Sequence, residues 1–218
     1  MIREEWDRMF LNLMPVVSTG LASLSIVLGI MTLLRASPLG QRVYYQDGQY
    51  LVAVRYPGQW HDIRSFVQPD NTDVVAICSQ IGPDVWQCLD FVCRYVAYKR
   101  ELGEMWQFPS ETLARGEGDC EDTSILLTSL VRAGGAPNCY VAVGSLGGYG
   151  HAWSEIDGQV LETTFTSARV VPDPAQYYPY IYFNDTEVIE LWPGALGEVF
   201  ELKRDEATKL NLMAKAVG

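Results

Sequence analysis

The chain has 218 residues, of which 48% are hydrophobic, 20% charged and 11% aromatic. This composition excludes a disordered tail, a collagen-like rod and a low-complexity linker. The 27 acidic and 16 basic side chains give a formal net charge of −11, so we predict no nucleic-acid partner, because phosphate backbones would be repelled. Five cysteines cannot all pair within one chain, and their spread favours free thiols over a disulfide framework.

The N-terminal part of the chain contains a long stretch without charges. No charged residue occurs between Arg8 and Arg35, and a helix of that length spans roughly 39 Å, enough to cross a hydrocarbon core of about 30 Å. We therefore predict a hydrophobic helix in residues 1–36. Residues 9–34 would act either as a membrane anchor, making the protein membrane-associated, or as a helix buried in a larger assembly such as a virion or a homo-oligomer.

Shorter β and helical patterns follow this stretch. Residues 43–45 and 50–54 flank an Asp-Gly pair and predict a β-hairpin. Between residues 84 and 102, apolar side chains recur at three- and four-residue spacing, which predicts an amphipathic helix. No linker separates a second soluble domain, so we assign residues 37–194 to one domain and residues 195–218 to a C-terminal amphipathic helix that serves packing or oligomerisation.

The most informative region begins at Cys120. Two glycines and Asp119 precede this cysteine, and a helical pattern continues from it to Gly134, so we expect Cys120 to open a helix. The free N–H groups and positive dipole end of a helix start favour a thiolate. Neighbouring acidic residues oppose that effect, so a reactive thiol at this position needs a basic partner.

His151 is the candidate partner. Residues 138–145 predict a strand, a glycine-rich turn follows, and residues 151–156 predict a second strand that begins with this histidine. An Asp-Gly pair then predicts a two-residue hairpin turn into a third strand over residues 159–164.

The tight turn sets a register that nominates a carboxylate. Counting outward from the turn, Trp153 faces Glu162, and His151 and Trp153 share one face of the strand. Glu162 is then the diagonal neighbour of His151, with a Cα separation of roughly 7–8 Å. Glu155 lies on the same face but about 13 Å from His151, which makes it the poorer candidate.

Together these residues predict a catalytic triad. His151 would take the proton of Cys120 to form a thiolate–imidazolium pair, and Glu162 would hold the imidazole and stabilise its charge. The backbone N–H of Cys120 would face the oxyanion of a tetrahedral intermediate. The alternative is a structural role for each residue, with Glu162 as a solvated strand end.

The segments GEGDCED, GGYGHAWSEI and LETT, with WQFPSETL upstream, resemble the transglutaminase-like cysteine peptidase superfamily. The resemblance covers roughly residues 60–170 and implies an α+β fold with a papain-like core, in which a helix carrying the cysteine packs on an antiparallel sheet. It implies Cys120 as the nucleophile, His151 as the base and Glu162 as the acid. Two positions depart from the family pattern, because Glu162 replaces an aspartate and Thr163 stands where proline is common.

The resemblance also implies an upstream side chain that completes the oxyanion hole. Trp106 and Gln107 are the candidates, and the sequence does not choose between them. The aromatic tract over residues 177–183 is interpreted either as a wall of the substrate cleft or as a buried β-edge or lid.

These features predict a thiol acyl-transfer enzyme that acts on amide bonds of a protein or peptide substrate, as a cysteine peptidase, an amidase or a transglutaminase-like enzyme. Hydrolysis is favoured over cross-linking, because transfer requires a site that excludes water and binds a second amine. The alternative is a catalytically silent structural or binding module in a membrane or virion-like assembly. Cys120, Cys139 and His151 lack the spacing typical of zinc sites, so we predict no metal and no cofactor.

Removal of residues 1–36 tests the role of the N-terminal helix. If this segment is an anchor, the shortened protein should move from the membrane or detergent fraction to the soluble fraction on centrifugation, because its long apolar surface is gone. Continued insolubility would show instead that the helix is an integral part of the fold.

Overall fold

The computed structural model describes residues 42–100 and 105–203. The helix predicted for residues 1–36 lies outside the described residues, as do residues 204–218. Within the two described ranges, no helix is both long and apolar enough to cross a membrane. The described elements are a mixture of helices and mainly antiparallel strands, which confirms the mixed helix-and-sheet class.

The first described element is the predicted hairpin. Strand β1 (Val43–Gln46) pairs antiparallel with β2 (Gln49–Val52), and the short strand β3 (His61–Asp62) adds to β2. Asp47 and Gly48 between β1 and β2 have positive φ values of 50° and 77°. Positive φ at both central residues is the geometry that an Asp-Gly pair favours in a two-residue hairpin turn.

Five α-helices accompany the strands in the part of the chain that the structure describes, and two of them were not predicted. Helices α1 (Thr72–Ile81) and α3 (Pro109–Arg115) are the unpredicted ones. Helices α2 (Val85–Tyr95) and α4 (Cys120–Ala133) match predicted patterns, and residues 195–203 are helical and are called α5.

The helix predicted over residues 84–102 ends early, at Tyr95. Strand β4 (Ala97–Tyr98) follows and pairs in parallel with β5 (Glu117–Gly118). The N–H of Ala97 donates to Gly116, and that of Lys99 donates to Gly118. The chain leaves the helix because its N–H groups are satisfied by a segment about 20 residues downstream, which helical periodicity does not report.

The central sheet has five antiparallel strands in the order β10-β9-β6-β7-β8. Asp157 and Gly158 form the predicted turn between β7 and β8, with φ values of 48° and 80°, and Ser154 pairs with Leu161 as the register predicts. The third strand, predicted to reach residue 164, ends at Leu161. The strands are β6 (Cys139–Leu146), β7 (Tyr149–Ile156), β8 (Gln159–Leu161), β9 (Tyr177–Phe183) and β10 (Val188–Glu190).

Helix α4 packs against this sheet through buried hydroxyl groups as well as apolar side chains. The Ser154 hydroxyl on β7 donates to the carbonyl oxygen of Ser124 at 3.0 Å and lies 3.0 Å from the Thr128 hydroxyl. Near the start of the helix, the hydroxyls of Thr123 and Thr163 lie 2.8 Å apart. These paired groups hold the helix at a fixed position along the sheet, because unpaired buried hydroxyls cost about 1–3 kcal/mol each.

Helix α5 contributes to the same core. Leu196, Val199 and Phe200 are buried in the apolar cluster that also contains Cys120, and the Phe200 ring stacks on Trp106 with a centroid distance of 5.9 Å. The described part of the C-terminal segment is therefore packed into the domain. The boundaries predicted at residues 36 and 194 stay predictions.

Two glycine substitutions test the packing of the sheet. A Cβ at Gly144 would lie 2.0 Å from the carbonyl oxygen of Tyr178, at the point where the β6–β9 register shifts, whereas a Cβ at Gly197 in α5 meets nothing within 4 Å. We expect Gly144→Ala to lower the free energy of unfolding by about 1–3 kcal/mol and Gly197→Ala to raise it by up to about 1 kcal/mol. Urea unfolding followed by circular dichroism measures both, and equal effects would contradict the strand packing.

Candidate active site

Cys120 is the first residue of α4, as predicted, with Asp119 as the N-cap residue. The Asp119 N–H donates to the Asp122 carboxylate three residues later, at 3.2 Å, which is one half of a capping interaction. The Cys120 side chain is buried, and its Sγ donates to Oε2 of Glu121 at 2.9 Å. The thiol is therefore at a helix start but in direct contact with a carboxylate.

His151 on β7 is in contact with Glu162, the residue that follows β8. Nε2 of His151 lies 2.8 Å from Oε2 of Glu162, and the carboxylate is only 1% exposed, so the interpretation of Glu162 as a solvated strand end is wrong. Its Oε1 accepts from the N–H and hydroxyl of Thr164 at 2.8 and 2.7 Å. The Tyr177 hydroxyl donates to Oε2 at 2.8 Å, so both oxygens are held in place.

The side chain of Cys120 acts on the His151 imidazole from nearby and raises its pKa. Since Nε2 contacts Glu162, Nδ1 is the ring nitrogen left for the sulfur. Burial opposes a charge on His151, but the interactions with Cys120 and Glu162 outweigh it and raise the pKa of His151 to about 10. Burial likewise opposes the charge of Glu162, yet His151 and Thr164 together lower the pKa of its carboxyl group. The shift includes the negative charge of Cys120, so the imidazolium is the form that His151 takes once it holds the thiol proton, with the ionised Glu162 beside it.

Aromatic rings enclose this pair. The His151 ring lies 6.1 Å from the rings of both Trp153 and Tyr177, centroid to centroid, and those two rings are 5.2 Å apart. Glu155 accepts hydrogen bonds from Trp153 and Tyr182 at 3.1–3.3 Å, and these contacts direct it away from His151. The aromatic tract is strand β9, an inner strand between β10 and β6, so its interpretation as a β-edge is wrong.

The side chains of Trp106 and Gln107 are both buried and make contacts within the protein. The indole of Trp106 is 1% exposed and stacks between Phe183 and Phe200 at centroid distances of 5.9 Å. The Gln107 side-chain amide donates to the Asp122 carboxylate at 2.6 Å and to a backbone carbonyl at 3.3 Å. The oxyanion role given to these two residues stays a prediction.

The acidic residues around Cys120 are largely desolvated. Burial, followed by the charge of Asp119, raises the pKa of Asp122 to about 7. Burial also raises the pKa of Asp119, although the nearby ammonium of Lys203 opposes that shift. Glu121 is 3% exposed and forms an ion pair with Lys203 of α5.

Three of these side chains are close enough together to be considered as metal donors. Single donor atoms of Asp119, Cys120 and Glu121 lie within 4.8 Å of one another. The Glu121 carboxylate is already paired with the ammonium of Lys203 and with the thiol, so an ion there would have to displace both contacts. We therefore assign no metal ligand, and Cys139 and His151, the other residues considered for zinc, are not part of this group.

A cleft of about 530 Å³ is lined in part by Thr163 and Thr164, which follow Glu162 in the chain, although Cys120, His151 and Glu162 are not among its lining residues. Tyr95, Tyr98, Thr163 and Phe165 are among the residues that line it. Burial raises the pKa of Tyr98 to about 12, and the nearby charge of Cys120 adds to the shift. Tyr98 thus places one wall of the cleft next to the thiol.

No protein-family model matches the chain, and no curated protein matches its sequence. Among solved structures, the chain is similar to LapG of Legionella pneumophila. The EGTA-treated form matches with a TM-score of 0.45 at 13% identity, covering 59% of this chain and 83% of that chain. A second LapG structure matches at 0.44 and 15% identity over 62% and 84% of the two chains. The calcium-bound form matches at 0.42 and 16% identity over 59% and 84%.

The two histidines of the chain allow a direct test of the His151–Glu162 contact. In an NMR titration of the imidazole carbons, we expect one residue to titrate below its ordinary pKa of 6.5 and the other near 10. The first is His61, whose pKa is lowered by burial and by Arg55, and the second is His151.

Glu162→Gln should lower the His151 midpoint, because the neutral amide no longer stabilises the imidazolium, and should leave His61 unchanged as the internal control. The charged pair of His151 and Glu162 stabilises the fold fully below pH 6.5, as long as Glu162 stays ionised. This stabilisation is lost as the pH rises from 6.5 toward about 10, because His151 then loses its proton. A His151 midpoint at or below 6.5 in the unchanged protein would contradict the geometry described here.

Proposed function

We propose that the protein is a thiol acyl-transfer enzyme of the transglutaminase-like cysteine peptidase type, acting on amide bonds of a protein or peptide. Cys120 is the nucleophile, and His151 is the general base and acid. Glu162 orients the imidazole and stabilises its positive charge. The observation that carries this proposal is the line from Cys120 through His151 to Glu162, in which Nε2 of His151 lies 2.8 Å from Oε2 of Glu162 and the side chain of Cys120 raises the pKa of the same imidazole.

The burial of this line supports a functional role over a structural one. An imidazole and a carboxylate that are 9% and 1% exposed bear a desolvation penalty that an apolar pair of the same size would not bear. Charged side chains in such surroundings, with a strongly shifted pKa and a thiol partner, are typical of catalytic sites. The helix that begins with the cysteine and packs on an antiparallel sheet fits the papain-like core that the sequence motifs imply.

The use of glutamate in place of aspartate is compatible with the same role. Strand β8 ends at Leu161, and Glu162 then turns its longer side chain back to reach Nε2 of His151 at 2.8 Å. Thr164 binds the second carboxylate oxygen. A carboxylate fixed at both oxygens holds the ring in one tautomer, as the third member of a triad must.

The reaction follows from these positions. His151 accepts the thiol proton of Cys120, and the thiolate adds to the amide carbonyl carbon. The resulting oxyanion is stabilised by backbone N–H groups at the start of α4, which have no acceptor within the helix. The imidazolium then protonates the departing amine and leaves a thioester. Water, deprotonated by His151, hydrolyses this thioester to a carboxylic acid and regenerates the thiol.

Hydrolysis is proposed over cross-linking because cross-linking needs a second site that binds an amine and excludes water. The cleft beside Tyr98 is of a size that would take a side chain of a peptide substrate. We also propose that residues 9–34 hold this domain at a membrane or in a hydrophobic assembly, which the deletion of residues 1–36 tests.

Alkylation by iodoacetamide distinguishes an enzyme from a silent module. Burial raises the pKa of Cys93 to about 11 and those of Cys88 and Cys139 to about 12, so these thiols should be inert near neutral pH. At pH 6–7 we expect Cys120 to react at least about tenfold faster than the other four cysteines, measured by peptide mass spectrometry. His151→Ala should slow that reaction.

A matched pair of cysteine variants completes the test. Cys120→Ala should abolish amine release from a mixture of peptide anilides, whereas Cys78→Ser, at the half-buried Cys78, should not affect it. Equal alkylation rates at all five cysteines would favour the silent structural module.

A further inference from the structure

The residue after the proposed nucleophile is a buried acid with two partners. Oε2 of Glu121 accepts the hydrogen bond from the Cys120 thiol at 2.9 Å, and Oε1 pairs with the ammonium of Lys203. The side chains of Glu121 and Lys203 are only 4% and 7% exposed. A lysine from the C-terminal end of the described chain thus reaches the start of α4.

Glu121 alone would work against the chemistry. A carboxylate in contact with a thiol stabilises the protonated thiol, through the hydrogen bond it accepts, and repels the thiolate. Little water is present to screen that repulsion at a buried site. The proposed reaction requires the opposite, a thiol that gives its proton to His151.

We propose that Lys203 is a positioning residue of the active site, whose ammonium neutralises Glu121 and thereby allows Cys120 to ionise toward His151. The inference rests on the proposed function and extends it, because it makes helix α5 part of the catalytic unit. The ammonium of Lys203 pairs with Glu121, and it acts on the thiol through that carboxylate.

The packing of α5 explains how the lysine is placed. Val199 and Phe200, four and three residues before Lys203, are buried in the core, and residues at these spacings lie on one helix face. The Phe200 ring stacks on Trp106. Trp106, which the sequence nominated for the oxyanion hole, thus packs against the helix that carries Lys203.

Gly150 provides a second, independent observation. A Cβ at Gly150, the residue before His151, would lie 2.6 Å from Cγ and 3.5 Å from Cε of Lys203. The stem of the lysine therefore runs directly over the strand that carries His151. A side chain at position 150 would displace Lys203, so the glycine leaves the space that the lysine occupies.

The charge balance around the thiol depends on this lysine. Lys203 also opposes the burial-driven rise in the pKa of Asp119, so it serves two carboxylates at once. With Lys203 removed, the positive charges that remain around the site include the imidazolium of His151 and the guanidinium of Arg100, which acts on Asp119 and Tyr98. The charged and titratable groups around Cys120 include Asp119 and Glu121 at the start of α4, Tyr98 on β4, Arg100 after β4, His151 on β7, Glu162 after β8, and Lys203 on α5.

The experiment is the pH dependence of Cys120 alkylation by iodoacetamide in the full chain, followed by peptide mass spectrometry. We expect Lys203→Met to raise the pH midpoint of the reaction by roughly one to two units, because an unpaired carboxylate then faces the thiolate. Lys203→Arg, which keeps the charge, should stay close to the unchanged protein. Lys99→Met is the matched control, since Lys99 pairs with the partly exposed Glu117 and is itself 62% exposed, and it should leave the midpoint unchanged.

Two further variants test whether Lys203 acts through Glu121. Glu121→Gln should lower the midpoint, opposite in sign to Lys203→Met. The double variant Glu121→Gln/Lys203→Met should restore a midpoint close to that of the unchanged protein. It removes the buried charge of Glu121 together with that of its partner, so we expect it to fold even if Lys203→Met does not.

The outcomes separate this inference from the proposed function. The proposed function fails if Cys120 in the unchanged protein begins to react only at the pH at which the other thiols react. If Cys120 does react at low pH but neither Lys203→Met nor Glu121→Gln moves its midpoint, the proposed function stands and the role of Lys203 is overturned.

Discussion

The position of helix α4 along the sheet is the constraint on which the site depends. The helix is buried from residue 120 to residue 131, and an apolar surface alone would allow it to slide by a turn with little loss of area. The hydrogen bond from the Ser154 hydroxyl to the Ser124 carbonyl oxygen and its contact with the Thr128 hydroxyl prevent this, because a displaced helix would leave buried polar groups unpaired, at about 1–3 kcal/mol each. Ser154 lies on the same strand as His151, so the contacts that fix the helix also fix Cys120 against the imidazole.

The two glutamates of the site, Glu162 and Glu121, have different partners. Glu162 is held by Thr164 and Tyr177 as well as by His151, so its charge is supported by several donors. The carboxylate of Glu121 is instead paired with the ammonium of Lys203. Glu162 stabilises the imidazolium, whereas Glu121, which contacts the thiol, is paired with a positive charge. Two glutamates thus acquire different roles because their partners differ.

The parts of the site that the sequence predicts are those set by local chemistry. The Asp157-Gly158 turn allows only one register for β7 and β8, so the contact between His151 and Glu162 could be counted out from the turn. The start of α4 at Cys120 was visible for the same reason, since capping residues act within one turn.

The parts that escaped the sequence depend on segments that meet only after folding. The end of α2 at Tyr95 is set by the pairing of β4 with β5, a contact across about 20 residues. The Tyr177 hydroxyl donates to Glu162 because β9 pairs with β6. The aromatic tract suggested a cleft wall from the sequence, but it did not indicate which hydroxyl group would bind Glu162. Lys203 lies more than 80 residues from Glu121, and nothing in the pattern of α5 distinguishes it from a solvated lysine.

The replacement of aspartate by glutamate shows how local and distant constraints combine. A longer side chain has one more rotatable bond, and ordering it costs conformational entropy. Here Thr164 bonds Oε1 from two residues away, a local contact, and Tyr177 bonds Oε2 from a different strand. These two contacts restrict the extra bond from opposite sides. The extra methylene is therefore accommodated by a threonine just beyond β8 and a tyrosine on β9, and the carboxylate reaches the ring with both oxygens fixed.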